Sequence, residues 1–113
     1  MQESILAEKS LEFATQIVLL FQSYGKQHKD TTIIKQLLRS GTSIGANINE
    51  AVFGNSKADF ISNLHIALKE CSESIYWLKV LMNANLIDNL EQYLKLAEEI
   101  KAMLISSLNT AKN

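Results

Sequence analysis

The chain has 113 residues, the length of a single domain, and 47% of them are hydrophobic. Its 11 basic and 12 acidic side chains give a net charge of −1, which argues against the strongly basic, tail-like class of nucleic-acid-binding proteins. One cysteine excludes an internal disulfide, and the lack of proline with only four glycines predicts long helices with few turns. With no basic-then-apolar leader and no apolar run that could cross a bilayer, the sequence predicts a cytoplasmic protein with no membrane contact.

Apolar residues at helical spacing predict two helices in the first half of the chain. The first begins at Glu3 or Ser10 and ends at Tyr24, where Gly25 is expected to form a left-handed cap. The second begins at residue 30 or 31, where Asp or Thr offers a capping oxygen, and Gly54 closes it.

Two more helices are predicted in the second half. The third begins at Ser56, which forms an approximate capping box with Asp59, and it ends near residues 83–85. The fourth follows a cap-like start at Asp88. Connections of about two to five residues favour antiparallel neighbours. The expected fold is therefore all-α, with residues 1–113 forming one up-down-up-down antiparallel four-helix bundle.

The predicted third helix has more apolar surface than one bundle core needs. Its seam alternates spacings of three and four residues, and it consists of Ile61, Leu64, Leu68, Cys71, Ile75, Leu78 and Met82. A second apolar line flanks the seam, and it consists of Phe60, Ala67, Trp77 and Leu81. Since a surface helix normally keeps one side for water, this surplus predicts self-association.

No pattern of residues predicts a metal, cofactor or catalytic site. A di-iron bundle needs Glu-x-x-His pairs, but the residues three before His28 and His65 are Gly25 and Ser62. Cys71 lies in mid-helix among apolar neighbours, where a thiol behaves as a small apolar side chain. We therefore expect no cofactor and no enzymatic activity.

Small residues are concentrated in the middle of the second helix. Residues 40–46 lack the Gly-Lys-Ser/Thr ending of a phosphate-binding loop, and no strand precedes them. Two glycines four residues apart predict that a neighbouring helix approaches closely, because glycine in mid-helix costs about 1 kcal/mol relative to alanine. The polar residues Asn47, Asn49 and Glu50 are either hydrogen-bonded across a helix or subunit contact or simply exposed.

The candidate nucleic-acid-binding residues are Lys35, Arg39 and Lys57. The first two share a helix face at a spacing of four, and Lys57 follows across a short connection, so all three are expected near one end of the helix 2–helix 3 hairpin. The alternative is an ordinary solvated face. In a ring-shaped oligomer even a modest basic patch would be repeated around the axis and would attract a polyanion.

Residues 39–51 resemble the signature of a bacterial four-helix-bundle family. Its members are encoded in intervening sequences of 23S rRNA genes and are often described as ribosomal-protein-like. Residues 57–61 and 73–78 resemble the same family, and the likeness extends over about residues 10–108. The Ser-Ile-Gly-Ala-Asn-Ile core at 43–48 is its most distinctive part.

The resemblance implies a subunit that assembles into a barrel-like homopentamer. A related protein, the accessory variability determinant of diversity-generating retroelements, works beside a reverse transcriptase and binds nucleic acid through a basic surface. For most of the family no function is established. The packing or interface residues that the signature implies are Ser40, Gly41, Ile44, Gly45, Ala46, Asn47, Asn49, Glu50, Phe60 and Trp77.

Two functional hypotheses follow. The first is a non-enzymatic oligomer that binds RNA or another nucleic acid through a basic face. The second is a structural adaptor whose surface binds a protein partner through apolar or aromatic residues such as Trp77 or Tyr93.

Overall fold

A computed structural model describes residues 2–113. The four helices are α1 (Gln2–Gln27), α2 (Thr32–Val52), α3 (Lys57–Asn83) and α4 (Glu91–Lys112). Each helix packs on the next one in the chain, and α1 also packs on α4, which closes a bundle of 46 × 20 × 20 Å. The all-α four-helix bundle predicted from the sequence is confirmed. One end of it carries the α1–α2 and α3–α4 connections, and the other end carries the α2–α3 connection.

The first helix ends differently from the prediction. It continues through Gln27, so Gly25 lies inside the helix, and no glycine in residues 2–113 has a positive φ. The reason is that a side chain replaces the glycine cap, since His28 Nδ1 donates to the Tyr24 carbonyl at 3.0 Å. The left-handed residues are instead Asn85 (φ 57°) and Asn89 (φ 61°), and asparagine tolerates that conformation.

α3 and α4 begin in different ways: a side-chain cap starts α3, whereas a buried apolar residue stands at the start of α4. Ser56 caps α3 as predicted, because its Oγ accepts from the Asp59 N–H at 3.1 Å. The α3–α4 connection covers seven residues, 84–90, and is longer than expected. Asp88 does not cap α4. Leu90 stands at the cap position and is buried in the core, so burial of an apolar side chain decides this start.

The apolar surplus of α3 is largely used within the subunit. Its seam is in the core, where Leu64, Cys71 and Leu78 are at most 1% exposed. Two members of the flanking line, Ala67 and Leu81, are also fully buried, because α3 packs on both α2 and α4. Ile66 and Tyr76 of the same helix stay 44% and 59% exposed, so part of the surplus remains on the surface and self-association stays a prediction.

Candidate nucleic-acid interface

The two glycines of α2 allow α1 to approach closely within the subunit. A Cβ at Gly41 would lie 3.3 Å from both Ile17 Cγ1 and Phe13 Cε2, and a Cβ at Gly45 would lie 3.2 Å from Ser10 Oγ. The close helix approach predicted from the sequence is therefore present, and it is an intrasubunit contact.

On its other side, α2 packs on α3 through small hydroxyl residues and aliphatic side chains. Ser40 is fully buried, and its Oγ lies 2.8 Å from Ser74 Oγ. Ile44 is fully buried in the core. The first half of the signature thus holds α2 between α1 and α3.

The second half of the signature faces outward. Ala46, Asn49 and Glu50 are exposed, and half-buried Asn47 donates to the Ser43 carbonyl within α2 at 2.8 Å. Across residues 2–113, none of the three polar residues makes a hydrogen bond to another helix.

A shallow groove runs along the outside of the α1–α2 contact. It has a volume of about 440 Å³ and is lined mainly by small residues, including Ala7, Ala14, Gly45 and Ala46. Leu11 stands at its edge and is 68% exposed. The groove therefore presents small side chains and one exposed leucine.

Arg39 is held by carboxylates of α3. Its guanidinium donates to Glu70 Oε2 at 2.9 Å and also to Glu73, and Glu70 is only 12% exposed. Trp77 is half-buried and donates its indole N–H to Glu73 Oε2 at 2.9 Å. The Trp77 hydrogen bond first and the Arg39 bond second lower the pKa of Glu73. Within the subunit, therefore, the charge of Arg39 is already matched.

The other two candidate lysines are exposed and lie far apart. Neither Lys35 nor Lys57 forms an ion pair within the described chain. Lys35 is in the first turn of α2, and Lys57 begins α3 beyond the far end of α2. At 1.5 Å per residue the separation along the axis is about 25 Å. The expectation that all three basic residues share one end of the hairpin is wrong, because α2 spans the length between them.

The basic residues that accompany Lys35 come from the last turn of α1 and from the connection that follows it. Residues 13–49 contain four basic side chains and a single acidic one, whereas the rest of the chain has seven basic and eleven acidic. Lys26 and Lys29 lie at the same end as Lys35 and are exposed. Within residues 13–49 the acidic exception is Asp30, and hydrogen bonds from the Thr32 hydroxyl and N–H lower its pKa. Asp88, from the α3–α4 connection, is a second exposed carboxylate at this end. A count of charged residues segment by segment, instead of over the whole chain, would have pointed to the basic residues at this end of the bundle.

Burial disfavours the reactive thiolate form of Cys71. Cys71 is fully buried and donates to the Ala97 carbonyl at 3.2 Å, and burial raises its pKa to about 12. Over residues 2–113, no three His, Cys, Asp or Glu side chains form a group that could hold a metal ion.

Comparison with known proteins decides the family. The family model of the 23S rRNA-intervening sequence protein matches residues 2–106. The chain belongs to this family. A similar solved structure is that of a protein with unknown function from the S23 ribosomal protein family of Bacteroides thetaiotaomicron, which is 46% identical. The match covers 96% of this chain and 99% of that chain, with a TM-score of 0.90. A search of curated proteins found no match.

Membership of the 23S rRNA-intervening sequence protein family confirms the resemblance carried by residues 39–51. Neither the family description nor that of the similar structure names an enzymatic activity. Among the helices between residues 2 and 113, none is long and apolar enough to cross a membrane.

Proposed function

We propose that this family member is a non-enzymatic RNA-binding protein, and that its contact surface is the end of the bundle formed by the α1–α2 connection. The carrying observation is that Lys26, Lys29 and Lys35 lie together at that end, exposed and without ion pairs within residues 2–113. Ammonium groups in this state release counterions from a phosphate backbone on binding, which drives association. The reference to 23S rRNA in the family description concerns where the genes lie, so the choice of RNA as the polyanion is part of the proposal.

The roles of the three candidate residues divide accordingly. Lys35 remains a phosphate-binding candidate. Arg39 holds α2 against α3 through Glu70 and Glu73, and so acts on the position of Lys35. Lys57, at the opposite end, serves as a control position.

The test is binding of a labelled RNA hairpin over a salt series. The slope of log affinity against log salt is negative. Replacing Lys26, Lys29 and Lys35 by glutamine is expected to make it less steep by about 0.9 for each phosphate that is no longer neutralised. The matched control replaces three exposed lysines outside this end, Lys57, Lys69 and Lys112. Equal slopes for the two triple variants, or no binding by the unchanged protein, would overturn the proposal.

We also propose that the subunits form a homo-oligomer, in the pentameric form that the resemblance implies, through the groove between α1 and α2. Leu11, 68% exposed beside small residues, supports this surface. Light scattering is expected to give five times the 12.7 kDa subunit mass. Leu11→Lys should give the monomer, whereas Leu19→Lys, also on an exposed part of α1, should not. A monomeric unchanged protein contradicts the proposal.

A protein-binding adaptor is the second candidate function. The observation that favours it is Phe53, which is 77% exposed at the α2–α3 end, far from the lysines. Trp77 and Tyr93 are both half-buried, and so are weaker candidates for this role. Adaptor binding would survive moderate salt and would be lost in Phe53→Ser, whereas RNA binding would show the opposite pattern.

A further inference from the structure

Two stacked aromatic rings stand at the same end of the bundle as the three lysines. The ring centroids of Tyr24 and His28 are 3.9 Å apart, and their planes are within 8° of parallel. Tyr24 packs partly against the core, while His28 is exposed. Because a carbonyl only accepts, the 3.0 Å contact of His28 Nδ1 with the Tyr24 carbonyl places the hydrogen on Nδ1. The exposed ring is therefore held in place by two contacts.

Grooves lie beside this pair of rings, and both rings line both of them. Their volumes are about 380 Å³ and 240 Å³, and the larger falls within the range of about 300–1,000 Å³ typical of ligand sites. Leu86, from the α3–α4 connection, also lines both grooves and is 43% exposed. Lys29 lines the larger groove. A flat ring and a cation from the α1–α2 connection are thus brought together with an apolar side chain from the α3–α4 connection.

One carboxylate in the larger groove has an unused oxygen. Asp30 lines that groove and accepts from the Thr32 N–H at 3.0 Å and from the Thr32 hydroxyl at 2.7 Å. Both bonds go to Oδ1, so within the described chain Oδ2 has no partner. A carboxylate repels phosphate but accepts from an amino group, such as the one on C4 of cytosine.

We propose that this end of the bundle binds unpaired, amino-bearing bases of single-stranded RNA. A base stacks on the exposed ring of His28, its amino group donates to Asp30 Oδ2, and the adjoining phosphates lie against Lys26 and Lys29. Duplex RNA cannot use such a platform because its bases are stacked on each other, whereas single strands can. The inference rests on the proposed RNA-binding function and adds to it the kind of RNA that binds.

The test compares labelled 12-nucleotide strands of oligo(C) and oligo(U) with a duplex. Cytosine and uracil have the same ring size; they differ at C4, where cytosine carries the amino group and uracil a carbonyl, and at N3, where only uracil carries a hydrogen. His28→Ala is expected to weaken oligo(C) binding about tenfold, within the effect of removing one stacking side chain, with the salt slope unchanged. His28→Phe keeps a flat ring and should retain binding. The matched control is His65→Ala, which removes the other histidine, exposed on α3.

The aspartate provides a second, independent readout. Asp30→Asn should remove the preference for oligo(C) over oligo(U) without weakening oligo(U), because it removes an acceptor and also a negative charge. Its amide oxygen can still accept from Thr32, so the helix start is kept.

The outcomes separate the two proposals. If His28→Ala binds oligo(C) like the unchanged protein while the triple lysine variant binds poorly, the base-stacking inference is overturned and the RNA-binding function stands. The same follows if the duplex binds more tightly than both single strands. If the unchanged protein binds no RNA, the proposed function itself fails.

Discussion

Replacing Gly41 by alanine tests whether the α1–α2 contact determines the residue at this position. Helix propensity alone favours alanine over glycine by about 1 kcal/mol in a helix interior. A Cβ here, however, would lie 3.3 Å from Ile17 Cγ1 and Phe13 Cε2 and 3.4 Å from Ile17 Cγ2. Both neighbours are fully buried, so neither can turn out to solvent to make room.

The two effects have opposite signs, and the contact is expected to outweigh the propensity. An added carbon in a well-packed core costs about 1–3 kcal/mol. After subtraction of the propensity gain, Gly41→Ala should lower the free energy of unfolding by about 1 kcal/mol. Unfolding entropy of about 2.1 cal/mol/K per residue, over 113 residues, makes this a fall in melting temperature of about 4 °C.

Gly25→Ala is the matched control, because it also places alanine in a helix. A Cβ at Gly25 has nothing within 4 Å, so only the propensity acts and stability should rise by about 0.5–1 kcal/mol. Urea unfolding followed by circular dichroism, at one protein concentration for all variants, measures both changes. If both alanines stabilise the protein equally, the α1–α2 contact is not tight and the reasoning is refuted.

Three further predictions concern single contacts. Ser56→Ala should cost about 1 kcal/mol of unfolding free energy because it removes the α3 cap, and Ser56→Asp should restore it; equal stability of all three would contradict the cap. Arg39→Gln should cost about 1 kcal/mol at pH 7. The folded-state pKa of Glu73 is lowered, so the stabilisation that Arg39 gives is complete well above pH 4.5 and is lost as the pH falls through the folded pKa. The difference in unfolding free energy between Arg39→Gln and the unchanged protein should therefore shrink on acidification. A difference that grows would contradict the prediction. Cys71 should react with a thiol reagent at pH 8 only as fast as the protein opens, since burial raises its pKa to about 12, and rapid reaction of the folded protein would disprove its burial.

The presence of four helices could be predicted because the spacing of apolar residues is visible in the sequence. The ends of the helices could be predicted only where the capping residue lies within a few positions of the group that it caps. Ser56 and the backbone N–H it caps are three residues apart, so their contact is visible in the sequence. The end of α1 depends on a ring of His28 stacking on Tyr24, which no glycine pattern indicates. The start of α4 depends on burial of Leu90 among residues distant in the chain.

A line of apolar residues along a helix does not show which other helix packs against it. Ala67 and Leu81 flank the seam of α3, and the sequence is equally compatible with a neighbour in the same chain or in another copy. A helix in a closed bundle packs on two neighbours and so needs a wider apolar surface than a two-stranded coil. Leu11, which does stay exposed, lies within the apolar periodicity of α1 and could not be singled out before the fold was known.

The same distinction explains the candidate site. Spacing correctly places Lys35 and Arg39 on one face of α2, but it does not say that Glu70 and Glu73 stand opposite Arg39. These two carboxylates share one guanidinium, so with Arg39 they contribute −1 to the total, yet neither belongs to the end of the bundle that carries Lys26 and Lys29. In an elongated bundle the charge at an end depends on which residues reach that end unpaired. A net charge near zero is therefore compatible with a basic end that attracts RNA, and the salt series on the lysine variants measures that end directly.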